Sequence, residues 1–185
     1  MKSRQVKDLM VSIEDYATIH EDATIFEAIK ALENADRRHG DKIYRHQSLV
    51  VIDANRHVVG RLSQVDIMHA MEPRYTELGD AHWIGRSVLS REVLKTLREK
   101  FELWEQPLEE ICRVVQKVKV RDFMQIPTEG EFVKETDTMN VAMHRIVMGR
   151  HHSLLVTRDK EIVGILRSTD LFNSLYDMMD ACKTH

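Results

Sequence analysis

The property that most limits what this chain can fold into is that it repeats itself. Val6-Lys7-Asp8-Leu9-Met10 returns as Val120-Arg121-Asp122-Phe123-Met124, 114 positions later. At the same spacing Thr24 is matched by Thr138 and Ala28 by Ala142. Ser48-Leu49-Val50-Val51 is matched by Ser153-Leu154-Leu155-Val156 at an offset of 105. Val59-Gly60 and Asp66 are matched by Val163-Gly164 and Asp170 at an offset of 104. One match could be chance, but an ordered series is a duplication, and each copy has to fold in the same way. The offset shrinks because the first copy carries extra residues, mainly within 36–47.

Each copy reads as strand, helix, strand, strand, helix. Residues 17–20 make a short strand. Thr24 and Glu27 then have the spacing of a capping box, in which hydroxyl and carboxylate each satisfy the other's backbone amide. Ile25, Ala28, Ile29 and Leu32 follow at helical spacing. Leu49-Val50-Val51-Ile52 has the β-branched run of a buried strand. Asp53-Ala54-Asn55-Arg56 is a turn, residues 57–62 a second strand, and Ser63 opens a helix through Asp66, Ile67 and Met71. In the second copy the same order runs through Thr138, the apolar run at 154–157, a strand over 162–166, and Ser168. There the capping box is half lost, because Val141 stands where the glutamate was.

Between the copies, residues 72–117 carry two further apolar stripes. Ser90 is a plausible N-cap for a helix bearing Val93, Leu94, Leu97, Phe101 and Trp104. Pro107 ends that helix or begins the next, which bears Leu108, Ile111, Cys112, Val115 and Val118. Such an amphipathic pair packs on its parent domain or serves a dimer or partner surface. Composition adds exclusions. Of 185 residues 43% are hydrophobic and 31% charged, with a net charge of −3, which suits a globular protein and leaves no general basic footprint for nucleic acid. No apolar run approaches the ~20 residues that span a bilayer, and no secretory signal is expected at the N-terminus. Cys112 and Cys182 are far apart in sequence, so neither a zinc ribbon nor a disulfide framework is expected. A reduced, cytoplasmic protein follows as the expectation.

A strand ending in Gly-x-x-(Thr/Ser)-x-x-Asp, after an apolar strand and an Asp-Ala-Thr helix start, resembles the cystathionine beta-synthase (CBS) domain. The residues behind the resemblance in the first copy are Val6 to Met10 as quoted, Asp22-Ala23-Thr24, and Val59-Gly60-Arg61-Leu62-Ser63-Gln64-Val65-Asp66. In the second they are the Val120 motif, Asp137-Thr138, and Val163-Gly164-Ile165-Leu166-Arg167-Ser168-Thr169-Asp170. Two tandem copies resemble a CBS pair, also called a Bateman module. The resemblance implies an α/β fold of two β-α-β-β-α repeats related by a pseudo-twofold axis, repeat one at 4–71 and repeat two at 118–178, with a helical insertion at 72–117. It implies two clefts between the repeats that take adenosine ligands such as AMP, ADP, ATP or S-adenosylmethionine. It also implies a homodimer.

The chemistry of the candidate residues can be weighed on its own terms. Ser63 at the strand-to-helix junction sits among free amides at the positive end of a helix dipole, where an anion is favoured. Asp66, three residues on, can accept hydrogen bonds from two vicinal hydroxyls, as a ribose presents, or the pair can simply cap their own helix. In the second copy Arg167 replaces the hydroxyl residue while Asp170 remains. Arginine cannot cap, though Ser168 beside it could. Arg167 offers a guanidinium fork to phosphate, or else fills the site. His152, just before the second buried strand, lies where a basic residue approaches phosphate in some nucleotide-binding relatives; Gln47 is its counterpart. Surface histidine is the plainer reading, and His151 and His152 point to opposite faces, so they do not share a metal easily. The binding set implied is Thr18, Gln47, Ser48, Ser63 and Asp66 in the first half, and His152, Ser153, Arg167 and Asp170 in the second. Arg37, Arg38, His39, Lys42, Arg45 and His46 form a basic cluster that is a solvated loop, a lid over phosphates or a partner contact.

No nucleophile–base set, P-loop or glycine fingerprint is visible, so an enzyme is not expected and no cofactor is required. The leading expectation is a stand-alone module that binds an adenosine ligand and regulates a partner in trans. The alternative is an interaction protein with empty clefts that binds through its helical insertion.

Overall fold

A computed structural model describes residues 4–38, 48–72, 74–75 and 91–182. The first-copy elements are β1 (Val11–Ser12), β2 (Thr18–His20), α1 (Ile25–Arg38), β3 (Ser48–Ile52), β4 (Val58–Ser63) and α2 (Gln64–Met71). Two helices follow, α3 (Arg91–Phe101) and α4 (Leu108–Lys117). The second copy contributes β5 (Phe132–Lys134), α5 (Met139–Gly149), β6 (Ser153–Arg158), β7 (Glu161–Arg167) and α6 (Ser168–Cys182). The architecture is mixed α/β, and both copies show the order strand, helix, strand, strand, helix. The inserted stretch at 39–47 and residue Ser90 lie outside the described residues, as does most of the basic cluster.

The chain forms two compact units that cut across the sequence copies. One comprises Met1–Thr18, Ile52–Arg61 and Ile126–His185; the other comprises Ile19–Val51 and Leu62–Gln125. The backbone hydrogen bonds show why. The amide of Val6 donates to Asp137 O (2.9 Å) and that of Lys7 to Glu135 O (3.0 Å), while Met139 donates to Arg4 O (3.0 Å). In the other unit Val120 donates to Ala23 O (2.9 Å), Arg121 to Glu21 O (3.0 Å) and Ile25 to Val118 O (3.0 Å). Every partner in the second set is displaced by 114 positions from its counterpart in the first. Each Val-x-Asp-x-Met motif is therefore received by the helix start of the other copy. Val6 and Val120, both fully buried, are the anchors.

In the unit containing the second copy, the sheet order is β1-β7-β6-β5. β6 runs parallel to β5 and antiparallel to β7, with Leu154 opposite Leu166, and β1 adds along β7 with Val11 opposite Ile165. Gly164 is required here. A Cβ at that position would stand 2.6 Å from Val11 O and 2.8 Å from Met10 Sδ, so β1 can approach only a glycine. The core of this unit joins Val6, Val133, Met139, Ala142, Leu154, Val156, Leu166 and Leu171. In the other unit Ile25, Ala28, Leu32, Leu49, Val50, Val51, Leu62, Ile67, Ala70, Leu103, Val115 and Val120 are buried. The remaining sheet has the order β2-β3-β4.

The local readings at the helix starts were unequal. Thr24 and Glu27 form the expected box: Glu27 N donates to Thr24 Oγ1 (3.2 Å) and Thr24 N to Glu27 Oε2 (2.7 Å). The hydrogen bonds hold the Glu27 carboxyl below its ordinary pKa, the backbone one from Thr24 first. At Thr138 neither half of the box survives, since its side chain makes no cap bond. The first inserted helix is shorter than the apolar spacing predicts. It stops at Phe101, and Trp104 lies beyond it with φ of 65°, left-handed backbone that a helix interior does not use. Pro107 is the N-cap of α4, so it begins the second helix.

Candidate functional site

Strand alternation sets up the first half of the site. In β4 Gly60 and Leu62 are buried, which leaves Arg61 and Ser63 on the opposite face. Ser63 ends the strand in extended backbone (φ −86°, ψ 166°) and caps α2. Its hydroxyl accepts from the Asp66 amide (3.2 Å) and donates to Asp66 Oδ2 (2.6 Å); its own amide donates to Oδ2 as well (2.7 Å). The other oxygen, Oδ1, accepts from Nε2 of Gln125 at 2.7 Å. The structure thus brings Ser63 and Asp66 together as the sequence spacing predicts, and adds Gln125, 59 positions away. The sequence signal for Gln125 was faint: it is the polar residue that follows the second Val-x-Asp-x-Met motif.

The second half keeps the carboxylate and changes its partner. α6 begins at Ser168, so this serine is the first helical residue and Arg167 takes the cap position. The Arg167 amide donates to Asp170 Oδ2 (3.0 Å), and the guanidinium folds back on the same carboxylate, Nε to Oδ2 (2.8 Å) and Nη2 to Oδ1 (2.6 Å). Of the two sequence alternatives, a fork turned to phosphate or a filled site, this geometry has the fork engaged by Asp170. A bidentate, charge-assisted pair of this kind is among the stronger side-chain hydrogen bonds.

Ser153 has a different setting from the one its sequence position implied. It is buried at the start of β6, and its hydroxyl accepts from Arg61 Nη1 at 2.9 Å. Arg61 Nη2 is paired with Glu131 Oε1. Glu131 is itself fixed by a short turn, where Oε2 accepts from the Thr128 amide (2.8 Å) and hydroxyl (3.1 Å). His151 lies beside this cluster, its Nδ1 4.0 Å from Glu131 Oε1. A largely buried ion pair therefore replaces the apolar residue that the second copy has at Ile165. Arg61 was detectable as a charge inside an apolar strand; Glu131 has the Thr-x-x-Glu spacing of a capping box with Thr128, which marks a helix start but not its meeting with Arg61. His152 is exposed, and its carbonyl accepts from the Ser168 amide (2.9 Å). Thr18 and Ser48 are half-buried at the starts of β2 and β3, and Gln47 lies outside the described residues.

A third polar group closes α2. Glu72, 1% exposed, receives Arg74 Nε (2.8 Å) and Nη2 (2.9 Å) and the Trp104 amide (2.7 Å). The Arg74 hydrogen bond, ahead of the burial that opposes it, holds this carboxyl below the usual glutamate range. Edge-on ring contacts join His69 to Tyr75 and Phe123, at 5.6 and 5.5 Å between centroids. Among the described residues no group of three or more His, Cys, Asp and Glu is arranged to hold a metal ion. No helix among them is long and apolar enough to cross a membrane.

The comparisons with known proteins agree with this architecture. The family model "CBS domain" matches residues 6–73 and 120–177, and the chain belongs to the CBS-domain family, as a CBS pair. The matched spans are CBS domains, with no catalytic domain among them. No curated protein sequence matches the chain. Among solved structures, CBSX2 in complex with AMP aligns at 16% identity with a TM-score of 0.59, covering 96% of this chain and 99% of that one. The CBS-pair protein CBSX2 from Arabidopsis thaliana aligns at 15% identity and TM-score 0.60, over 95% of this chain and 96% of that one. A CBS domain-containing protein from Bacillus anthracis aligns at 19% identity and TM-score 0.60, over 95% of both chains. At these identities the likeness speaks for the fold.

Proposed function

We propose that this CBS pair is a regulatory, non-catalytic module that binds an adenosine ligand at the Ser63/Asp66 half and acts on a partner protein in trans. The observation that carries this reading is the Asp66 carboxylate, held at the start of α2 beside the Ser63 hydroxyl. Such a group meets the ribose diol of AMP, ADP, ATP or S-adenosylmethionine, and the helix N-terminus favours an anion nearby. A distant structural relative crystallised with AMP supports the ligand class. The Arg167/Asp170 half is internally paired and is read as closed. Of the other residues the family likeness implies, Thr18, Gln47 and Ser48 stay with the Ser63/Asp66 half as candidates, and His152 and Ser153 go with the half read as closed, where the Ser153 hydroxyl is engaged by Arg61. A cytoplasmic setting fits the free, exposed Cys112.

A homodimer is part of the same reading. Phe172, Tyr176 and Met179 lie at i, i+4 and i+7 on α6 and are 69%, 60% and 60% exposed, an apolar stripe that a second copy would cover. Light scattering at micromolar concentration should give a dimer, and a monomer alone would remove this part. A second reading, an interaction protein without ligand, draws on the exposed Val93, Trp104 and Leu108 of the helical insertion. Native mass spectrometry of freshly purified protein decides between them. The first reading expects a co-purified or added adenosine ligand and a thermal shift with it. Absence of both up to millimolar ligand would leave the second.

A further inference from the structure

Resting on the reading that Asp66 receives ligand hydroxyls, we infer that Gln125 is a built-in competitor for that carboxylate, an autoinhibitory side chain that a ligand must displace. Oδ2 of Asp66 is taken by the Ser63 amide and hydroxyl as part of the helix cap. Oδ1 is the oxygen that the cap leaves over, and Gln125 Nε2 donates to it at 2.7 Å, where a ribose hydroxyl would donate. The glutamine arrives there on a fixed segment. Val120 is fully buried, Arg121 is ion-paired with Asp22, Lys119 Nζ donates to Asp22 O (2.8 Å), and the Phe123 ring meets His69. The segment therefore delivers Gln125 to Asp66 before any ligand comes.

The contact is suited to displacement. Gln125 is exposed and its donor is neutral, so giving it up costs one solvent-screened hydrogen bond to a carboxylate. A diol that donates to the same carboxylate replaces that bond and adds a second. The glutamine thus keeps Asp66 satisfied in the empty protein, raises the ligand concentration needed for occupancy, and leaves when the site fills. Arg167 shows the contrast, since it holds Asp170 by two charge-assisted bonds from three residues away.

The test is calorimetry on the full chain, titrated separately with AMP, ADP, ATP and S-adenosylmethionine, for the wild type, Gln125→Ala, Gln125→Met and each combined with Asp66→Ala. Loss of one competing hydrogen bond should tighten binding about three- to tenfold in both single variants. Gln125→Met is close in length but has no donor, so a gain shared with Gln125→Ala assigns the effect to the hydrogen bond and not to space. The gain should vanish in the Asp66→Ala background. A variant that binds where the wild type does not also supports the competitor. Wild-type binding that is unchanged or weakened by both substitutions overturns the inference and leaves the ligand reading standing, and so does a gain that persists without Asp66 or is confined to alanine. If neither wild type nor variants bind any of the four compounds at millimolar concentration, the ligand reading falls and the competitor with it.

Discussion

Asp66 and Asp170 are the same residue of a duplicated motif, and the difference between their surroundings is the clearest lesson of the molecule. Both stand three residues past a strand end, and both accept the backbone N–H at the cap position, at 2.7 Å and 3.0 Å. At Asp66 the cap hydroxyl and a neutral, exposed amide complete the carboxylate. At Asp170 a half-buried guanidinium takes both oxygens. The acceptor is a carboxylate in both halves, so the contrast lies in the donors: an exposed, neutral amide on one oxygen of Asp66 against a cation that holds both oxygens of Asp170. In both halves the acid serves its helix start; the neighbour decides whether the acid can be reached from outside. The two halves are therefore expected to be unequal as ligand sites, with Asp66 the one that opens.

The largest effect should come from removing the open acid. Asp66→Ala should weaken adenosine-ligand binding by about 2–3 kcal/mol, roughly a 30- to 150-fold rise in Kd, with the fold kept. Asp170→Ala should leave the same titration almost unchanged. Equal losses from the two substitutions would break the asymmetry.

Next in size is a change at the frame of the closed half. Gly164→Ala sets a methyl group against the Val11 carbonyl and Met10 Sδ, and β1 must move off β7 to accept it. Overpacking of this kind costs about 1–3 kcal/mol. A lowered melting temperature with ligand binding at Asp66 retained is the expected outcome. Loss of binding in step with stability would show that the halves are not separable.

Arg167→Ser, which restores the residue type of the first copy, should act more gently. It removes a local pair that is 16% and 11% exposed on its two sides, but the new hydroxyl can donate to Asp170 as Ser63 does to Asp66, so the net loss is about 1–2 kcal/mol in stability. Ligand stoichiometry should rise from one toward two per chain. A count of two identical, independent sites in the wild type, untouched by this substitution, would end the comparison.

What the sequence disclosed and what it hid divide along the length of the contacts. The strand-helix order, the Thr24/Glu27 box and the Ser63/Asp66 box were legible because each is decided within four residues by periodicity and capping chemistry. The same local logic overreached at Thr138, whose side chain makes no cap, and at Trp104, where apolar spacing continued past the helix end. Gln125 on Asp66 and Glu131 on Arg61 join residues 59 and 70 positions apart, and no periodicity encodes such a meeting. The reciprocal docking of the two Val-x-Asp-x-Met motifs was hidden too, although its 114-residue offset was in plain view. A repeat identifies equivalent segments and is silent on which copy receives them. Arg167 is an intermediate case: its chemistry admitted a phosphate fork or a plug, and the bond to Asp170 is a matter of geometry.

The smallest expected effect separates the two compact units by their response to acid. Glu72 lies in the unit of the open half, with its carboxyl held below the ordinary range first by the Arg74 hydrogen bond and also by the Trp104 amide. Glu135 lies in the other unit, lowered chiefly by Arg158, whose side chain is 61% exposed. For both acids the native pKa is depressed, so the unfolded state binds the proton more tightly. The stabilisation is fully present above the unfolded value, about 4.3 for a glutamate, begins to fade as pH falls to it, and is gone below the lower native value. Neutral to alkaline pH should leave both contributions intact. The difference lies in solvent: water and salt screen the Arg158 pair, whereas Glu72 is shut in with Arg74 and a backbone amide. Melting temperatures followed from pH 7 down to about 3 should therefore flatten on the acid side in Glu72→Gln more than in Glu135→Gln. At high salt the Glu135 contribution should fade first. Equal flattening in the two variants, with equal salt dependence, would show that burial at the end of α2 adds nothing to the acid response of its unit.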